Sequence, residues 1–145
     1  MGRKSIVLLC ACLMLGSLQA MELAVIAHPS NKVVLSQEQL QLLLLNKQRF
    51  MTGGQKIHML HQPSRSAAHQ WICRQLLDLT PAQYQSYWSR LLFTGNADGL
   101  VYLDTPAILQ HVSTDPSAIG YVPVEQVTDR IKVMAVLSEH GYQAR

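Results

Sequence analysis

The sequence predicts an α/β protein, a three-layer sandwich with a mostly parallel central sheet. Three observations lead to this fold class. Residues 23–27 are apolar at every position, which is typical of a strand covered on both faces. Segments with strand character alternate with segments that carry helix-start signals. Of the 145 residues, 48% are apolar and 14% are charged, a balance that supports a packed core and excludes a disordered chain.

The first twenty residues have the order of a secretory signal. Two basic residues precede an apolar run over 6–15, and a segment that begins with Gly16-Ser17 follows up to Ala20, where we expect cleavage. The apolar run is too short to span a membrane. A lipid anchor at Cys10 or Cys12 is disfavoured, because it would require cleavage within the apolar run.

Removal of this segment changes the charge and the cysteine content. It leaves 125 residues with ten Lys and Arg against nine Asp and Glu, so the net charge falls from +3 to +1. So slight a charge argues against nucleic-acid binding, which needs basic residues gathered on one face. Cys73 remains alone in an oxidising compartment, so no intramolecular disulfide can form. Its place in a predicted helix favours a buried, inert thiol over a reactive nucleophile.

The predicted elements form one domain over 21–137, without repeats or a linker. Strands are expected at 23–27, 56–61, 100–103, 119–122 and 132–137. Helices are expected at 37–46, 65–77, 81–93 and 105–112. The C-terminal tail over 138–145 has no core pattern and is expected to fray.

Local signals justify these elements in chain order. Polar residues 28–31 end the first strand, and the capping-box pattern of Ser36 and Gln39 starts the first helix. A glycine pair at 53–54 marks the turn before the second strand, which a proline at position 63 ends. The third helix has a second capping box and a proline at its first position, and the fourth begins at a Thr-Pro pair. The third helix also carries an aromatic stripe at helical spacing, which indicates that this face packs in the core. The stripe consists of Tyr84, Tyr87, Trp88 and Leu91.

Polar side chains follow the first two strands. Ser30 and Asn31 follow the first, and Ser64, Arg65 and Ser66 follow the second at the start of a helix. If the strands are parallel, both groups lie at the same edge of the sheet. Serine hydroxyls, free N–H groups of a helix start and one arginine match an oxyanion ligand. The alternative is that Ser64 only caps the helix.

No catalytic arrangement is evident. His58 and His61 are an odd number of residues apart on a predicted strand and would face opposite sides, while His69 belongs to another element. The carboxylates are scattered, and there is no phosphate-binding loop, dinucleotide fingerprint or nucleophile elbow. We therefore expect no enzyme activity, no metal and no cofactor. A hydrolase that uses Ser66 is the remote alternative.

Several segments resemble the phosphate-type periplasmic solute-binding proteins of the type 2 periplasmic-binding-protein superfamily, in particular its small single-lobe members. The matching segments are 35–40, 44–47, 87–95 and 113–122. The last contains Ala118-Ile119-Gly120-Tyr121 and is the most specific match. The resemblance implies the fold of one lobe, a periplasmic location, and binding of phosphate or a related oxyanion in transport or sensing. It also implies a membrane transporter or sensor as partner.

The chain departs from the family where the ligand would bind. The family's Arg-x-Asp-x-Ser-Gly-Thr segment becomes Gln62-Pro-Ser64-Arg65-Ser66-Ala-Ala, so the bidentate arginine and the threonine hydroxyl are missing. Arg65 returns one positive charge from a neighbouring position. The candidate ligand-binding residues are Ser30, Asn31, Gln62, Ser64, Arg65 and Ser66.

The missing second lobe leaves two hypotheses open. One lobe alone exposes about half of a bound anion to water, where each charged hydrogen bond is weaker. In the first hypothesis the chain binds phosphate or a related oxyanion, with a homodimer or a partner protein supplying the second wall. In the second it has lost phosphate binding and docks on a membrane-bound partner as a non-catalytic interaction or sensory module.

Overall fold

The computed structural model describes residues 20–145, so the predicted signal segment, with both of its cysteines, lies outside the described residues except for Ala20. The strands are β1 (Leu23–Ala27), β2 (His58–His61), β3 (Val101–Tyr102), β4 (Ala118–Pro123), β5 (Lys132–Ser138) and β6 (Gly141–Ala144). The helices are α1 (Gln37–Leu44), α2 (Ala67–Trp71), α3 (Pro81–Phe93) and α4 (Thr105–Thr114). A π-helical segment, Ile72–Leu76, continues α2. Within 20–145, no helix is long and apolar enough to cross a membrane.

The six strands form one mixed sheet in the order β3-β2-β4-β1-β5-β6. β2 is parallel to β3 and to β4, whereas β1 is antiparallel to both β4 and β5, and β6 is antiparallel to β5. The prediction of a mostly parallel sheet is therefore wrong. The uniformly apolar β1 is indeed buried on both faces, with every residue at most 1% exposed. That pattern reports burial, however, and carries no information on strand direction.

The direction of β1 separates the two polar groups that follow the first two strands. β2, β3 and β4 all end at one edge of the sheet, which we call the carboxyl edge. β1 ends at the opposite edge, since Ala27 pairs with Ile119 near the start of β4. The expectation that both groups share an edge is therefore wrong.

Helices cover both faces of the sheet. Alternate residues of β1 enter different clusters of buried side chains, as the period of a strand requires. Leu23, Val25 and Ala27 pack with residues of α1 and α2. Ala24 and Ile26 pack with α4. A third cluster joins α3 to the π-helical segment and contains Cys73, Tyr84 and Trp88. The predicted burial is confirmed for Cys73, Tyr84 and Trp88, whereas Tyr87 and Leu91, the other members of the stripe, are half-buried against them.

The helix starts follow the local signals closely. Ser36 and Thr80 each form the predicted capping box. The second helix begins two residues later than predicted, because its N-cap is Ser66 rather than Ser64.

The C-terminal tail is ordered, contrary to prediction. Gly141–Ala144 form β6 and pair with β5 across a tight turn, where Gly141 adopts a positive φ of 105°. Tyr142 packs against the core and its hydroxyl donates to the Leu35 carbonyl. The sequence of this segment shows no apolar pattern because an edge strand is held largely by main-chain hydrogen bonds, which do not depend on side-chain type.

Candidate functional site

Two helices begin at the carboxyl edge. The chain leaves β2 through residues 62–66 and enters α2, whose N-cap Ser66 accepts a hydrogen bond from His69 N at 3.1 Å. It leaves β3 and enters α4, whose N-cap Asp104 accepts from Ala107 N at 3.0 Å. The two starts are neighbours, because β2 and β3 are adjacent and parallel. Their positive dipole ends therefore meet the same surface.

The start of α2 offers several hydrogen-bond donors. Among the described residues, the N–H groups of Ala67 and Ala68 have no hydrogen-bond partner, as is usual for the first turn of a helix. Ser64 and Arg65 are exposed, and their side chains bind no described residue. The Ser66 hydroxyl accepts from His69 N, so its own proton remains free to donate. This short segment can therefore surround one face of an oxyanion.

Gln62 is buried beneath this segment rather than presented on it. Its side chain is 4% exposed. Its Nε2 donates to Thr105 Oγ1 at 2.9 Å and to the Tyr121 carbonyl at 3.2 Å, and its N–H donates to Tyr121 Oη at 3.2 Å. The amide thus fixes residues 62–66 to β4 and α4. Gln62, a residue expected to bind the ligand, is therefore directed inward in the structure.

Tyr121 also supports the first turn of α2. Its Oη lies 3.2 Å from His69 Nδ1, and His69 Nε2 lies 3.4 Å from Cys73 Sγ. Burial lowers the pKa of His69 and raises the pKa of Cys73 to about 11, so both groups are neutral. The consistent arrangement has Tyr121 donating to Nδ1 while Nε2 carries the ring proton. One buried hydroxyl therefore contacts both Gln62, at the start of the 62–66 segment, and His69, whose N–H donates to Ser66.

Ser30 and Asn31 lie at the opposite edge of the sheet. Asn31 is buried: its Oδ1 accepts from Val33 N at 2.9 Å, and its Nδ2 donates to the Pro116 carbonyl at 3.4 Å. Pro116 precedes β4, and three steps along the extended strand, about 10 Å, separate the first residue of β4 from Tyr121. Ser30 and Asn31 therefore cannot share a small ligand with Ser66.

The carboxyl edge is an open surface. The four main cavities among the described residues are lined by other parts of the chain, and none includes Ser64, Arg65 or Ser66. A ligand held there would contact the protein on one side only.

Sequence reasoning missed the residues that hold the segment. These residues are His69, which lies 3 positions from Ser66, and Thr105 and Tyr121, which lie 43 and 59 positions from Gln62. Tyr121 lies in the segment with the most specific family resemblance, but that resemblance alone does not reveal its contacts. In 20–145, no group of three or more His, Cys, Asp or Glu residues could hold a metal ion.

Fold and site together define a mixed α/β lobe with two helix starts at one sheet edge, and parts of solved structures have a similar fold. An ABC-type phosphate transport receptor from Vibrio cholerae matches 79% of this chain and 46% of its own, with 16% identity and a TM-score of 0.59. A phosphate ABC transporter substrate-binding protein from Clostridium perfringens, solved with bound phosphate, matches 79% and 44%, with 19% identity and a TM-score of 0.60. PstS from Borrelia burgdorferi matches 72% and 42%, with 21% identity and a TM-score of 0.52.

These likenesses concern the fold. The chain folds like part of a phosphate transport substrate-binding protein, and it spans less than half the length of each of the three. The resemblance expected from the sequence is confirmed at that level. No protein-family model matches the chain, and neither does any curated protein.

Proposed function

We propose that this protein is a periplasmic solute-binding module that binds phosphate or a related oxyanion at the carboxyl edge, in association with transport or sensing. The observation that carries the proposal is the start of α2, where free N–H groups of Ala67 and Ala68 adjoin two serine hydroxyls and Arg65. The fold adds support, because two of the similar structures are named as phosphate transport proteins. The signal-like N-terminus supports the periplasmic location.

The chemistry of binding is local. With a net charge of only +1 on 21–145, the anion is attracted by the helix start and by Arg65 rather than by a general basic field. Ser64 and Ser66 donate from their hydroxyls, and Ala67 and Ala68 donate from their main-chain N–H groups. Arg65 supplies the one full positive charge. The opposite face of the anion points away from the lobe, toward a second protein surface that completes the site: a membrane transporter or sensor component, or a second copy of the chain.

A thermal-unfolding series with inorganic phosphate and sulfate tests this proposal. An anion bound only by the folded state, present at ten times its Kd, adds about 1.4 kcal/mol to the free energy of unfolding. For a domain of this size that corresponds to a rise in Tm of about 5 °C.

The matched variants are Ser66→Ala and Ser36→Ala. Both remove an N-cap serine, so both lower the Tm of the free protein by a similar amount. Only Ser66→Ala should also abolish the phosphate-dependent rise, since Ser36 starts α1 away from the carboxyl edge. Arg65→Gln should reduce the rise without changing the Tm of the free protein. The proposal fails if no oxyanion stabilises the wild type.

A second candidate function is a non-catalytic interaction or sensory module that docks on a membrane-bound partner. The inward orientation of Gln62 favours it, because the position where the family has its arginine presents no donor at the edge. Crosslinking in the periplasm should then recover one stoichiometric partner whose binding is indifferent to phosphate. Phosphate-dependent recovery would instead support the first function.

A further inference from the structure

A cavity of about 340 Å³ opens beside β2, between α3 and the loop that leads into β3. We call it the α3 cavity. Its floor is apolar and includes Leu43, Met59, Trp88 and Leu100, which are buried or half-buried. The volume lies within the range of small-molecule sites, and such sites combine apolar walls with a few polar groups. None of the proposed anion-binding residues lines it.

His61 contributes a polar atom to this floor. The residue is 1% exposed, and its ring meets the Trp88 ring edge-on at 5.9 Å. Its Nδ1 lies 3.4 Å from Tyr84 Oη, whose own proton is donated to the Leu44 carbonyl at 2.7 Å. The proton between His61 and Tyr84 therefore belongs to Nδ1, and Nε2 carries a lone pair.

His61 is one of the residues that line the α3 cavity. Nε2 has no hydrogen-bond partner among the described residues. Every fully enclosed side-chain nitrogen or oxygen in that part of the chain does have a partner. Nε2 is therefore not fully enclosed, although His61 as a whole is almost completely buried. Burial, with a smaller contribution from His69, lowers the pKa of His61 to about 3. The floor thus presents a neutral hydrogen-bond acceptor.

The rim of the cavity carries an excess of positive charge. Arg49 Nη1 and Lys56 Nζ approach the same Asp98 Oδ2 at 3.9 and 4.0 Å. Two cations thus face one carboxylate, and Lys56 and Asp98 are both largely exposed. A further carboxylate at this rim would complete the charge balance, whereas a cationic ligand would meet net repulsion.

We propose that the α3 cavity binds a small aromatic carboxylic acid that also carries a hydrogen-bond donor. The ring lies on the apolar floor, the carboxylate meets Arg49 and Lys56, and a hydroxyl or N–H group donates to His61 Nε2. This site is separate from the carboxyl edge and does not depend on the proposed binding of phosphate there.

Two ligands test the floor without any change to the protein. 4-Hydroxyphenylacetate has a ring, a carboxylate and a donor, and phenylacetate lacks only the donor. Binding is measured from the fluorescence of Trp88 in a Trp71→Phe background, in which it is the sole tryptophan of the chain. We expect saturable binding of both acids, with the hydroxylated one about fivefold tighter, as one hydrogen bond provides.

Variants test the rim. Arg49→Gln should weaken the binding of both acids about equally. Because Arg49 also donates to the Asn96 carbonyl, its loss could loosen the neighbouring loop. Lys56→Gln therefore tests the rim at a second, exposed position. Arg65→Gln, which should weaken the response to phosphate, should leave both acids unaffected, so the two proposals can fail separately. The inference is overturned if neither acid saturates at millimolar concentration, if phenylacetate binds as tightly as its hydroxylated relative, or if both rim variants bind like the wild type.

Discussion

Replacement of Gly120 by alanine tests how closely α4 packs on the sheet. Gly120 lies in the middle of β4, where a Cβ atom would come within 2.7 Å of Ile108 Cγ2 in α4. The next nearest atoms, Leu60 Cβ and Val112 Cγ2, would lie at 3.7 and 3.9 Å, in ordinary contact. The conflict is therefore with one methyl group, and that methyl belongs to a fully buried side chain.

The size of the effect follows from these distances. Carbon atoms pack best at about 3.5–4.0 Å, so α4 must move away by about 1 Å or Ile108 must leave its rotamer. Overpacking of this kind costs about 1–3 kcal/mol. The φ of Gly120 is not positive, so alanine also restricts the unfolded chain and returns about 0.4–1 kcal/mol. We expect a net loss of about 1–2 kcal/mol, or about 4–8 °C in Tm.

Urea unfolding followed by circular dichroism measures this loss, and a second substitution identifies its cause. Ile108→Leu keeps the side-chain volume but removes the methyl group on Cβ, so it should recover most of the loss in the Gly120→Ala background. In the wild-type background the same substitution should be neutral or mildly destabilising. If Gly120→Ala is as stable as the wild type, or if Ile108→Leu gives no rescue, the close approach of α4 is not what requires glycine here.

Three further predictions concern buried polar groups. Tyr121→Phe leaves Gln62 N–H and His69 Nδ1 without their partner and should cost about 2 kcal/mol in urea unfolding, with faster amide exchange at Gln62. Because burial holds the pKa of His61 at about 3, against 6.5 when unfolded, the unfolded state binds the proton first. Stability should be fully present above pH 6.5 and decline as the pH falls toward 3, and His61→Phe should flatten that decline. The Cys73 thiol, whose pKa burial raises to about 11, should resist iodoacetamide in the folded protein and react in urea; labelling at equal rates would contradict its burial.

Elements set by local signals were predictable from the sequence. β1 has the bounds expected from its apolar run, and the capping boxes at Ser36 and Thr80 place two helix starts correctly. Each signal lies within a few residues of the element that it defines, so no knowledge of distant contacts is needed. The donors at the start of α2 were found for the same reason.

Features that depend on pairing across the chain were not predictable. The direction of β1 is set by partners in β4 and β5, and the error about direction moved Ser30 and Asn31 to the wrong edge of the sheet. The inward orientation of Gln62 depends on Thr105 and Tyr121, which lie 43 and 59 positions further along the chain. Neither partner is distinguished by its local sequence.

The position of β1 also constrains the order in which the protein can fold. β1 is the first strand of the described residues and lies inside the sheet, where Leu23 pairs with Pro123 on one side and with Leu137 on the other. Both pairings close loops of about a hundred residues or more, which is entropically costly and slows folding. Until β5 has been synthesised, the apolar strand β1 lacks at least one neighbour and presents a free edge. The chain therefore needs protection from aggregation until nearly its whole length is available.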